Sequence, residues 1–150
     1  MSLYREMISE SIAIAEGRLP KPRAHEPAET ARHEAAHVVV ALALDVPVLH
    51  TYLSGSTCSF SAKPHTCSEP GDPVRRAAIA WAGAVHDRSL YWSAGDFTGL
   101  AGVGAHTKPG QAFDLAESIL RDHADVHERI AAALLELGVL VTEQIEALIF

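Results

Sequence analysis

Residues 31–44, ARHEAAHVVVALAL, open with two histidines and a glutamate and run on into unbroken Val, Ala and Leu. The apolar tail of this segment has to be buried, and it takes His33 and His37 inside with it. The spacing predicts a helix from about Thr30, Glu29 or Pro27 to about Leu44, ending before Pro47. Four residues advance a helix by about 400°, so His33 and His37 project the same way, one turn apart. A buried imidazole pair costs free energy unless it is hydrogen-bonded or bound to metal. Two imidazole nitrogens on one face can hold a single Zn²⁺, and Glu34 on the neighbouring face can reach a water there without being a ligand. With nine histidines and twelve glutamates in 150 residues, about 0.04 HExxH matches are expected by chance. Coincidence is therefore a poor account of the motif.

The rest of the chain narrows the setting. A length of 150 residues suits one domain, residues 1–150, in which 1–27 form an N-terminal helix and a Pro-rich connector. A domain of this size buries roughly 68–70% of its unfolded surface and needs no disulfide to fold. With 48% hydrophobic and 21% charged residues, the composition is that of a globular chain. The net charge is −7, with no dense Lys/Arg cluster, which argues against a nucleic-acid partner. No run of about 18 apolar residues predicts a membrane span. The N-terminus carries Glu6, Glu10 and Glu16 within its apolar pattern and does not read as a signal peptide. Together with only two cysteines, this leads to the expectation of a cytoplasmic protein.

Periodicity predicts a mainly α (α+β) fold with one small β-hairpin or sheet. Tyr4 to Gly17 reads as a helix with Ile8, Ile12 and Ala15 on its stripe. LPKPRAHEP, with three prolines in nine residues, reads as an extended connector. VPVLHTYLSGS and TCSFSAKPH read as a strand pair. Pro73 suits the start of an alanine-rich helix through Trp92. One long helix is expected from about Gln111 to Leu137, ended by Gly138, then a short helix with Thr142 as its capping candidate. Cys58, His65 and Cys67 read as a reduced pair on a hairpin, not a second metal cluster. His123 and His127 read as solvated, and Trp81 and Trp92 as core or cleft-rim residues.

In order along the chain, these features resemble the peptidase domain of the FtsH-type zinc proteases, over about residues 28–150. HEAAH differs from that family's HEAGH only at Ala36. A strand pair follows. AWAGAVHDRS is similar to a helix bearing AGRAAE, with Asp87 at the glutamate position and Ala84 in place of arginine. AFDLAESILRDHADVHERIAAALLE is similar to the long final helix.

The resemblance implies a helical zincin-like metallopeptidase fold and a Zn²⁺ cofactor. It also implies a peptide or unfolded protein as substrate, with Glu34 as general base. His33 and His37 would be ligands, with a third from a glycine-rich turn ending in Asp. Asp96, in SAGDFTG, takes that position; Asp114 competes, and His86 and His106 stay open as ligands or helpers. Asp87 could hydrogen-bond a ligand histidine or be an exposed helix charge. A substrate peptide would add as a strand along the sheet edge near Val48 to Leu53. The family joins this domain to an ATPase and membrane anchors, for which 150 residues leave no room, so an ATP-independent activity is expected. The family works as rings to which the ATPase contributes, and a homo-oligomer remains an open expectation. The rival reading is a zincin-fold binding or regulatory protein with lost or restricted catalysis.

Overall fold

The computed structural model describes residues 2–54, 57–62, 73–91 and 109–149. The elements are α1 (Leu3–Ala15), α2 (Pro27–Ala43), β1 (Val48–Ser54), β2 (Thr57–Ala62), α3 (Pro73–Asp87), α4 (Pro109–Asp122), α5 (Ala124–Leu137), β3 (Val139–Val141) and α6 (Thr142–Ile149). The fold is mainly helical with a small antiparallel sheet, ordered β2-β1-β3.

The HEAAH helix lies at the centre. Of α2, Thr30, Ala31 and every residue from His33 to Ala41 are buried, because α3, α4, α5 and the sheet surround it. Its start is Pro27, whose fixed φ suits the first helical position. The Glu29 carboxylate accepts the Glu26 backbone N–H at 3.2 Å. The Thr30 hydroxyl does not cap the helix but donates back to the Glu26 carbonyl. The far end is closed by Asp45 in the left-handed region (φ 61°), as Val46 N–H returns to the Ala41 carbonyl. Helix α3 packs on α2 with Gly83 against the His33 ring, and its Ala77, Ala78, Ala82 and Ala84 are fully buried. Phe113 of α4 touches Tyr4 of α1 and Trp81 of α3, each at 5.2 Å between ring centroids. Trp81 is thus a core residue; Trp92 lies outside the described residues.

The structure corrects several expectations. The buried stripe of α1 is Leu3 and Met7, with Ala13 behind them, while Ile12 and Ala15 are exposed. Glu10, which interrupts that face, is accommodated because its carboxylate accepts the Ser89 hydroxyl at 2.7 Å. The long helix is two helices, broken at His123 (φ −119°, ψ 32°). The apolar stripe Ala112, Phe113, Ala116, Leu120, His127, Ile130, Ala131, Leu134 keeps helical spacing across the break, and so periodicity alone reads as one helix. Both halves touch α2, but α4 lies mainly on α3 and also on α1, whereas α5 lies mainly on α2 and reaches the sheet.

Gly138 does end α5 in the left-handed conformation, but the next three residues form β3, unforeseen in the sequence. They pair with His50–Tyr52, and Leu53 N–H bonds the Gly138 carbonyl. The Thr142 hydroxyl donates to the Val48 carbonyl at 2.8 Å, and the Gln144 side chain takes the Val141 N–H instead. Strand β1 is therefore the middle strand, and its edge from Val48 to Leu53 is already filled, which removes it as a docking edge for a peptide.

Candidate metal centre

Two stripes built on four-residue steps face each other across the α2–α3 contact. On α2 they are His33 and His37; on α3 they are Ile79, Gly83 and Asp87. The His37 Nδ1–H donates to the Ile79 carbonyl at 2.7 Å. The His33 Nδ1–H donates to Asp87 Oδ2, also at 2.7 Å. Gly83 lies between. A Cβ built there would come within 3.0 Å of Nε2, Cε1 and Cδ2 of the His33 ring, so the imidazole rests on bare helix backbone.

These contacts assign the protons. A carbonyl and a carboxylate only accept, so each neutral imidazole carries its hydrogen on Nδ1 and its lone pair on Nε2. The rings stand 5.2 Å apart at 71°. Glu34 Oε1 is 3.9 Å from His33 Nε2, too far for a direct hydrogen bond and near enough to share a water or a cation. One ligand atom from each of His33, Glu34 and His37 lies within 4.8 Å of the others, and all three residues are buried. The group could hold a metal ion. The donor set fits: two imidazoles, oriented by acceptors behind them, is how protein zinc ligands are commonly held.

The expected ligand and base residues thus meet at His33, Glu34 and His37. Asp87 joins them as the acceptor behind His33; its side chain is only 9% exposed, so it is not a free surface charge. Asp96 and His106 lie outside the described residues. Asp114 is exposed on α4 and belongs to no group among the described residues that could hold a metal ion. His86 is not in the group either. It stands edge-to-face with His127 at 4.7 Å, and burial, then the neighbouring His127, lowers its pKa to about 4. His127 is buried and donates from Nε2 to the Arg32 carbonyl at 2.8 Å, contrary to the expectation of a solvated ring; His123 is exposed as expected. Cys58 lies in β2 opposite Leu53, while His65 and Cys67 fall outside the described residues.

Two contributors escaped the sequence reading. Gly83 was legible in principle: with Asp87 four residues on, it forms a helical stripe able to receive a ring. His25 carried no local signal. It sits in the connector, 14% exposed at the side chain, with Nε2 3.6 Å from the same Asp87 oxygen that His33 uses. Compared with known proteins, the chain matches no family model and no curated protein. No helix among the described residues is long and apolar enough to cross a membrane.

Proposed function

We propose that the chain is a zinc-dependent metalloendopeptidase of FtsH-like, zincin type that works without ATP. The observation that carries the reading is the pair of Nδ1–H bonds to Asp87 and Ile79, which turn both histidines into Nε2 donors beside a buried glutamate. His33 and His37 are the proposed zinc ligands, with Asp96 as the third. Zinc bound there would polarise a peptide carbonyl and make water more acidic.

Glu34 then does the proton work. It takes a proton from the attacking water as the new C–O bond forms, and passes it to the amide nitrogen as the C–N bond breaks. Burial of Glu34 keeps bulk water from competing for that proton. The substrate, a peptide or an unfolded protein, would lie extended along the outer edge of β2, because β1 is paired on both sides.

The test uses the full chain, purified without an affinity tag. About one zinc per chain is expected, and His33→Ala should lose it. Glu34→Gln should keep zinc and the fold while cleavage of casein or short peptides falls by roughly 10²–10⁴-fold. Wild type and Glu34→Gln cleaving equally would remove the mechanism. Zinc bound by a wild type that cleaves nothing across a broad peptide library would favour a zincin-fold binding protein. Absence of zinc, not restored by adding it, would end both readings.

A further inference from the structure

His25 is held in place by more than chance proximity. The connector that carries it has prolines at 20, 22 and 27, which restrict its backbone. Glu29, in the first turn of α2, grips the connector on either side of His25. Its Oε1 accepts the Arg23 guanidinium at 2.6 Å and the Glu26 backbone N–H at 3.2 Å. His25 and Asp87 line the same cleft, with Arg23 and Glu29 on its wall. The His25 ring centroid is 6.0 Å from that of His33.

Asp87 needs such company. It is the last residue of α3, where the carbonyl ends of the helix make a carboxylate unfavourable. The adjacent cation does not compensate, because Arg88 turns away to Glu6 and Glu117. What faces the Asp87 carboxylate is His33 Nδ1 at 2.7 Å and His25 Nε2 at 3.6 Å, both on Oδ2.

We propose that His25 is a positioning residue of the metal centre, acting through the Asp87 carboxylate to hold the His33 ring with its proton on Nδ1 and none on Nε2. The connector thereby sets the quality of His33 as a ligand. Only the zinc consequence rests on the metal reading above; the effect on the His33 ring stands without it.

The experiment therefore has a metal-free arm. In the full chain at pH 8 with chelator present, side-chain ¹⁵N shifts should report a protonated Nδ1 and an unprotonated Nε2 on His33. His25→Ala should move His33 toward a mixture of tautomers, as Asp87→Asn does. His25→Gln, which keeps an N–H donor at a similar reach, should restore most of the wild-type signal. In the Asp87→Asn background, His25→Ala should add nothing. In the zinc arm, competition with a chromophoric chelator should give a loss of roughly 10–100-fold for Asp87→Asn and a smaller, roughly 3–10-fold loss for His25→Ala.

His33 signals unchanged by His25→Ala would overturn the proposal. So would an effect of equal size with and without the Asp87 carboxylate, since His25 would then act on the fold alone. A wild type that binds no zinc but whose His33 tautomer responds to His25 upholds the positioning role and refutes the metal reading.

Discussion

A single methyl group at Gly83 would be felt directly at the candidate metal centre. The His33 ring lies where that methyl would stand, against the bare backbone of α3. Gly83→Ala should therefore turn or displace the ring, breaking its bond to Asp87, and overpack the helix pair by about 1–3 kcal/mol. Urea unfolding would read the stability loss, and a zinc competition titration the loss of affinity. A variant with wild-type stability and wild-type zinc binding would mean that the ring does not rest on that backbone. At this scale the sequence was informative where spacing alone decides the outcome. His33 and His37 share a face because helices turn by about 100° per residue. That Asp87 is a buried acceptor, and not an exposed charge, depends on which helix lies opposite.

The elements show how local signals and tertiary contacts divide the work. Pro27, Asp45 and Gly138 act where sequence reasoning puts helix boundaries. Gly138 holds φ 79°, which favours a residue without Cβ, and a Cβ there would meet nothing within 4 Å. The cost of Gly138→Ala should thus be backbone strain alone, about 1–2 kcal/mol. Chemical denaturation should record that loss, while zinc affinity stays at the wild-type value because the His33, Glu34 and His37 group lies on α2, away from this turn. A loss of several kcal/mol would show that β3 and its pairing to β1 depend on this turn more than its contacts suggest. The break at His123 and the strand β3 have no comparable local marker. The one interrupts an unbroken apolar stripe; the other is three residues that become a strand because β1 offers its edge.

Across the whole molecule, half-buried His86, packed on buried His127, couples stability to pH. His86 has its pKa lowered from 6.5 to about 4 in the folded chain, mainly by burial. Between those values the unfolded chain takes up a proton that the native chain refuses. The contribution of neutral His86 is therefore complete above pH 6.5, declines as pH falls, and is gone below about 4. Wild type and His86→Gln, both kept metal-free, should be compared by urea unfolding at pH 7.5 and pH 4. Relative to wild type, the variant should gain on the order of 2–3 kcal/mol on acidification, because it has no imidazole to protonate. A difference between the two proteins that does not change with pH would mean that His86 is not held neutral by the fold.

By itself, the sequence determined the central helix and the composition of the face that could hold a metal ion. An apolar run with His33, Glu34 and His37 at fixed helical spacing admits few other arrangements, and periodicity is a local property of the chain. The tertiary structure decided everything that depends on what lies across a gap. It set Ile79, Gly83 and Asp87 against the histidines and so assigned the Nδ1 protons. It brought His25 from the connector to the Asp87 carboxylate, buried His127 but not His123, and filled the edge of β1 with β3. Each of these joins residues far apart in sequence, and no spacing rule along a single chain encodes which distant partner a side chain will meet.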